Sequence, residues 1–404
     1  MTTLKRTLLI VVGIVIAGGF WFGWSFYRQH LTGIGPAILP SSGDIADLID
    51  RNETPLVVPQ GFSLDIFATD LGGPRVLVED PNGVLIASVP SRGQIVALPD
   101  RDGDGNADET IVLADAMHHA HGLAFRCVDG ACRLYVAEED MLSYYDYDAA
   151  NVKFSGRTDL VKLPTGGNHV TRSLLYLPEE DRILVAIGST CNVCREEDPL
   201  RAAISVIEPD GNELKPYATG LRNSVFQTIH PTTGQVWATE MGRDLLGDDT
   251  PPDEINVIVE GGSYGWPNCY ADNAHDTDFD TNTYVRNPCE AQFETPSRIN
   301  IPAHSAPLGL AFVTGDGWPA EYADNLFVAY HGSWNRSVPT GYKVVRYQLD
   351  ADGYLLAVDD FVSGWLLPDD TALGRPTGLL VKSDGQLFIA DDKAGVIYRV
   401  HPTE

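Results

Sequence analysis

The chain is 404 residues long and carries 56 acidic against 28 basic side chains, a formal charge of −28. Such a field repels phosphate backbones and anionic surfaces, so nucleic acid is excluded as a partner and a highly soluble exterior is expected. With 39 Gly, 26 Pro and 9% aromatic residues, and no long amphipathic helical stretch, the composition suits a turn-rich all-β chain.

In chain order the first element is apolar. Lys5 and Arg6 precede an uncharged run from Thr7 to Tyr27, closed by Arg28. As a helix rising ~1.5 Å per residue, the run reaches roughly 30 Å, the thickness of a bilayer core. It is too long for a signal h-region and lacks a clean small-x-small cleavage site or a lipobox cysteine. Residues 1–28 are therefore expected to be a retained transmembrane helix with its N-terminus in the cytoplasm. Cleavage after Gly18 or Gly19 is the alternative. Either way the globular part is exported, and the expected location is the inner membrane with the globular part in the periplasm or outside. Residues 29–55, with Gly33, Gly35, Pro36, Pro40 and Ser41-Ser42-Gly43, read as a tether containing one short helix, IADLID.

From residue 56 a short hydrophobic strand pattern recurs after a Gly- or Asp-containing turn, marked by Leu85, Leu134, Leu184, Val236, Leu326 and Leu387. A repeat of about 50 residues made of two or more strands is the sequence form of a β-propeller blade. Six copies predict a six-bladed ring over 56–404, with FSLDIFATD as the N-terminal strand that completes the last blade. The long interval from Val236 to Leu326 holds an insertion at 263–300, expected on the face that bears the site. Six cysteines fall in three close pairs, Cys127 with Cys132, Cys191 with Cys194 and Cys269 with Cys289, as disulfides in an exported chain would. The C-x-x-C of Cys191 and Cys194 also suits a metal or redox motif, though no second C-x-x-C accompanies it.

Two local motifs carry chemistry. In DRDGDGNADE, Asp100, Asp102 and Asp104 alternate, Gly105 permits a sharp turn and Asp108 holds the ninth position, so carboxylates converge as in a calcium loop. Ile111 stands where a twelfth-position Glu would be; a structural calcium held by these four aspartates is expected, with an Asp/Gly hairpin without metal as the alternative. In GLRNSVFQTIHP, Arg222 and Asn223 lie at a blade entrance, and Arg222 offers a planar donor fork to an anionic or carbonyl-bearing ligand. An Arg-Asn pair serving only as structural hydrogen bonding is the alternative.

GLRN, then TEMGRD, DEIN and YGWP in that order, resembles the soluble quinoprotein sugar dehydrogenases, six-bladed propellers that bind pyrroloquinoline quinone (PQQ) and calcium. HGSWNRSVPTGYKVVRYQL, GRPTGLLVKSDGQLFIADD and STCNVC resemble the branch labelled L-sorbosone dehydrogenase-like, which is akin to the aldose sugar dehydrogenases. The resemblance implies oxidation of a sugar or related alcohol or aldehyde, with electrons passed to a periplasmic or membrane acceptor. It puts His169 in the place of the general base, a task suited to a near-neutral imidazole. It puts Arg222 and Asn223 at the quinone carbonyls, Gly242 and Arg243 at the main-chain ligands of the calcium, and Arg375 at a cofactor carboxylate.

Departures from the pattern are Val225, where the sugar dehydrogenases usually have Gln, and a cofactor lysine with no clean match. His331, Asn335 or Arg336 supplies that function on this reading, Arg336 being favoured as the cation. His121 and His304 begin blade strands and are candidates to face the channel, or are satisfied histidines at strand entrances. Tyr264 and Trp266 are candidates to stack on a flat cofactor, with core packing as the default. Two other readings stay open: a lactonase-type propeller hydrolase whose calcium is held by Glu240, Asp253 and Asn256, and a non-catalytic propeller that binds carbohydrate or a partner.

Overall fold

The computed structural model describes residues 3–41, 43–51, 53–290, 294–314 and 317–403; Ser42 and the side chains of residues 3–11 and 14, Lys5 and Arg6 among them, lie outside that description. Six four-stranded antiparallel sheets form the ring. Their innermost strands are Leu77–Glu79, Gly122–Val128, Arg172–Leu177, Gln227–Ile229, Pro307–Phe312 and Pro376–Val381, in blades 1 to 6. The last blade is closed as the sequence predicts: Phe62–Ala68 pairs antiparallel with Val396–Pro402, from Phe62 opposite Pro402 to Ala68 opposite Ile397. Joining the two ends of the chain in one sheet removes the open edges that a linear array of blades would leave.

The repeated hydrophobic marker is the second strand of each blade. Leu85–Val89, Val236–Glu240, Leu326–Tyr330 and Leu387–Asp391 are buried along their whole length. A strand covered on both faces by neighbouring blades reads as a continuous apolar run rather than an alternating one. Each Leu, Ile or Val so buried contributes about 1.5–3 kcal/mol. The outermost strands, such as Lys153–Lys162, face water and carry the charge.

All three cysteine pairs are disulfides. The insertion forms a small hairpin, Cys269–Tyr270 with Ala274–His275, stapled by Cys269–Cys289. It lies on the face where the second strands end, because Asp276 pairs there with Arg243 at 2.6 Å.

The N-terminal segment differs from expectation twice. Thr3–His30 is one helix with Val15, Ile16, Phe20, Trp21 and Phe22 exposed. Among the described residues, however, no helix is long and apolar enough to cross a membrane. The described turns are diluted by Gly13, Gly18, Gly19 and Gly23 and end in Arg28 and His30, so the expected transmembrane span is not supported. Nor is 29–55 a free tether. Gly33 N–H donates to the Arg336 carbonyl (2.9 Å), Ser41 Oγ to that of Leu373 (2.6 Å), and Lys393 Nζ to those of Pro36 (2.6 Å) and Leu39 (2.7 Å). The predicted short helix is present at Ile45–Asp50, capped by Asp44 and pinned by buried Ile45.

Candidate active site

Because the strands of a blade alternate in direction, the second strands end on the face where the innermost strands begin. Three blades exploit this with an acid. Glu138, Glu240 and Asp391 accept from the N–H groups of His118 (2.7 Å), Asn223 (2.8 Å) and Arg375 (2.8 Å) respectively. The entry loops of blades 2, 4 and 6 are thus fixed from within the fold. Cations stand at four of the six entrances, Arg75, Arg172, Arg222 and Arg375 at blades 1, 3, 4 and 6, and Arg172 and Arg222 are 0% and 5% exposed. A mouth lined with buried guanidinium groups, in a chain of charge −28, focuses potential on an anionic ligand.

His169 sits in the loop before blade 3. Its Nδ1 lies 2.8 Å from the Ser189 carbonyl and 3.1 Å from Ser189 Oγ. A carbonyl only accepts, so Nδ1 bears the proton and Nε2 keeps its lone pair. Two arginines that the motifs did not single out strap the loop. Arg172 donates to the carbonyls of Pro164, His169 and Thr171, and Arg201 to those of Gly166 and Gly188. Burial, then the charge of Arg222 with those of Arg201 and Arg172, lowers the His169 pKa to about 4. The near-neutral imidazole expected from sequence is therefore a weaker base, held neutral. A Cβ on Gly188 would lie 2.5 Å from Asn223 Oδ1 and 2.7 Å from His169 Cβ, so only glycine lets these two side chains flank it.

Arg222 has all five N–H groups engaged. Nε donates to Asn192 O (2.9 Å), Nη1 to Gly242 O (2.9 Å) and Met241 O (3.3 Å), and Nη2 to Asn192 Oδ1 (3.0 Å) and Asp244 Oδ2 (2.8 Å). Its role here is to hold the 241–244 loop, so the fork expected to face a ligand is turned on the protein. Asp253 holds the same loop from below, accepting from Gly242 N–H and Ala306 N–H, both at 2.9 Å. Burial raises its pKa to about 7.

The third group joins blades 1, 5 and 6. Arg375 donates to the carbonyls of His331 (3.0 Å) and Gly332 (2.6 Å). His331 Nε2 and Arg75 Nη1 both meet Asp392, at 2.9 and 2.6 Å. Burial opposes ionisation of Asp392, yet His331, Arg75 and Arg375 outweigh it and hold the carboxyl below its usual range. Lys393, which the sequence motifs missed, lies beside this group with its ammonium on the carbonyls of Pro36 and Leu39. His121 is 1% exposed, with Nδ1 3.3 Å from Ser173 Oγ, and burial and Arg75 hold it well below its ordinary pKa. Among the described residues, Arg75 Nε, Arg172 Nε, His121 Nε2 and both ends of the Asn335 amide are buried without a protein partner. The donors among them, the Nε–H groups of Arg75 and Arg172 and the Asn335 amide N–H, suit a carboxylate-rich ligand.

A family model described as TrAA12-like matches residues 56–403. The chain belongs to the TrAA12-like family. It is 30% identical over 364 residues to an uncharacterised protein of Borreliella burgdorferi, covering 86% of this chain and 90% of that one. It is 26% identical over 399 residues to a pyrroloquinoline quinone-dependent sugar dehydrogenase of Hypocrea jecorina, covering 85% and 88%. In fold it is similar to the calcium structure of the Trichoderma reesei family AA12 enzyme, with a TM-score of 0.74 at 24% identity over 86% of this chain and 97% of that one.

The remaining expected residues of this TrAA12-like chain fall in different places. Val225 is 3% exposed and packs in the hydrophobic core. Arg336 donates to Asp248 O, Ala303 O and Asp249 Oδ1, and His304 Nε2 lies 2.7 Å from Gly247 O. Both brace the 247–249 loop. Tyr264, a core residue whose hydroxyl donates to Val257 O (2.6 Å), and Trp266 both line a small cavity beside Gly242 and Arg243. Of the residues of the hydrolase reading, Asp253 accepts from two main-chain N–H groups and Glu240 from Asn223 N–H, while Asn256 is wholly buried and donates through Nδ2 to Glu254. In the acidic loop, Asp100, Asp102 and Asp104 bring carboxylates within 4.8 Å of one another, while Asp108 accepts from Arg101 N–H at 2.8 Å. Gly105 adopts φ 88°, the left-handed conformation that this turn requires.

Proposed function

We propose that this protein is a PQQ-dependent dehydrogenase that oxidises a sugar, or a related alcohol or aldehyde, with His169 as general base. The observation that carries this reading is the geometry of His169, whose Nδ1 is committed to the Ser189 carbonyl at 2.8 Å while Nε2 keeps its lone pair. Family membership and likeness to the Hypocrea jecorina sugar dehydrogenase support it.

When bound, PQQ supplies the hydride acceptor and calcium a Lewis acid beside it. The unmatched donors of Arg75 and Arg172, with His121, Arg375 and Asn223, would hold the carboxylates and carbonyls of the cofactor. The carbonyls of Gly242 and Arg243 would hold calcium. That of Gly242 accepts one bond from Arg222 and retains its second lone pair. His169 Nε2 accepts the hydroxyl proton of the substrate as the hydride departs from carbon, which leaves a carbonyl product. Burial keeps His169 neutral and ready to accept.

The three disulfides support an exported location, and electrons from the reduced cofactor would pass to an acceptor in the periplasm or membrane. The test is reconstitution. Apo-protein from a host that makes no PQQ should gain dye-linked sugar dehydrogenase activity when PQQ and calcium are added. Absence of PQQ binding by titration, with no activity across a sugar panel, would exclude the reading.

A further inference from the structure

The loop from Gly188 to Glu196 touches both halves of the site, and neither the motifs nor the family pattern gave its inner residues a task. Ser189 meets His169 through its carbonyl and its hydroxyl, and its own N–H donates to the Arg222 carbonyl at 2.7 Å. Three residues on, Asn192 receives Arg222 twice, at its main-chain carbonyl and at Oδ1. The Asn192 amide also grips the backbone of the 242–244 loop in both directions: Asp244 N–H donates to Oδ1 (2.7 Å), and Nδ2 donates to Asp244 O (3.0 Å). Asn192 lies inside the short ring closed by Cys191–Cys194. The Cys191 carbonyl is in turn the acceptor for Ser189 Oγ at 2.6 Å.

We propose that Asn192, locked by the Cys191–Cys194 disulfide, is the positioning residue that sets Arg222 and the 242–244 loop in register with His169. The side-chain type matters for a specific reason. Asparagine alone among the small polar residues offers one acceptor and one donor from a single planar group, which Asp244 uses as a complementary pair while Arg222 shares the oxygen. Aspartate would retain the oxygen for Arg222 and lose the donor. The disulfide supplies the rigidity, because an open loop of this length would have to order itself each time Arg222 was seated. Residues that orient a site through another side chain typically cost roughly 10–100-fold when removed.

The inference rests on the dehydrogenase reading, and its test separates the two. Asn192→Ala, Asn192→Asp and the double variant Cys191→Ser with Cys194→Ser are compared with wild type in the full apo-protein. Fluorescence titration gives PQQ affinity, and NMR of the His169 imidazole gives its protonation. We expect Asn192→Ala to weaken PQQ binding at least about tenfold and to move the His169 titration up toward its ordinary value, since a displaced Arg222 no longer opposes the imidazolium. Asn192→Asp should lose less affinity than Asn192→Ala, and the double variant should shift both readouts in the direction of Asn192→Ala. If Asn192→Ala leaves both the affinity and the titration unchanged, the proposal is overturned. Should that variant fail to fold, the double variant decides: an unmoved His169 titration there overturns the proposal. If wild type binds no PQQ, the dehydrogenase reading fails, and the His169 titration alone still decides the role of Asn192.

Discussion

The two ends of the propeller channel are lined by the same six innermost strands and have opposite chemistry. At the entrance end stand Arg75, His121, Arg172 and Arg375, of which His121 and Arg172 are buried, and the three arginines are fixed by carbonyls and a carboxylate. At the other end Leu123, Phe125, Leu174, Phe312, Leu379 and Val381, with a few polar residues such as Gln227 and Thr228, line an open cavity of about 490 Å³. The difference teaches where the fold obtains its rigidity. The more apolar end rests mainly on packing, for which residues of the right size suffice. The polar end has to satisfy buried charge, and it uses the ends of the second strands to do so: an acid one turn away from each anchored loop is cheaper in structure than a separate scaffold. Damage at the two ends should therefore separate function from stability.

The sharpest break of that symmetry is His169→Ala. Loss of a positioned base should reduce kcat/KM by about 100- to 10,000-fold, with the midpoint of urea unfolding nearly unchanged and PQQ affinity largely retained. At the opposite end, Phe312→Ala should do the converse. Phe312 is 4% exposed and packs edge-on against Trp237 at 5.6 Å, so its removal should cost about 3–5 kcal/mol of stability, while kcat/KM per folded molecule stays at the wild-type value. A large activity loss in Phe312→Ala, measured under conditions where it is fully folded, would show that the two ends are coupled.

Arg375→Ala is intermediate. It removes two hydrogen bonds to the 331–332 turn and one cation from the entrance. The expected result is a loss of about 1.5–3 kcal/mol in cofactor affinity, read as a raised Kd for PQQ in titration, with kcat at saturating PQQ much less affected.

The ring itself was legible in the sequence because its signal is redundant. Six second strands buried on both faces have to be continuous apolar runs, and Leu85, Leu134, Leu184, Val236, Leu326 and Leu387 each mark one. The anchoring acids were equally visible in principle, as the Glu or Asp that follows the run in VAEED, WATEM and FIADD, though nothing in a linear string tells an anchor from a solvated charge. What could not be read was the use of each cation. Arg222 and Arg336 carry the planar donors a ligand would want, and the fold turns both on main-chain carbonyls. Conversely Arg172 and Arg201 lie in unremarkable strand entrances and prove to hold the loop of His169. Hydrogen-bond partners hundreds of residues apart, such as Lys393 with Pro36, leave no local trace. The N-terminal segment failed for a related reason, since an apolar run reports composition and not what its flanking residues dock against.

The smallest expected effect is also the most discriminating, because it depends on burial and on the neighbouring arginine charges at the polar end. With its pKa lowered to about 4, His169 remains neutral across the range in which a free imidazole would protonate. The kcat/KM of the reconstituted protein should therefore vary less than about twofold between pH 5 and pH 8 as far as His169 is concerned, with an acid limb only near 4. A limb near 6.5 would show that water reaches the imidazole and that the Arg222 charge is screened. The same shift fixes the sign of a stability effect. Between pH 6.5 and 4 the unfolded chain binds a proton at residue 169 that the folded chain refuses, so this contribution is present above 6.5 and is lost as pH falls toward 4. Asp253 and Asp391, raised by burial to about 7 and about 6, act in the opposite sense and lose stability as pH rises. Comparing urea midpoints of wild type and His169→Gln at pH 7 and pH 5 cancels the two carboxyls, and wild type should lose ground to the variant at the lower pH. An unchanged difference would mean that the packing around His169 yields on protonation, and the rigidity argued for the polar end would then be wrong.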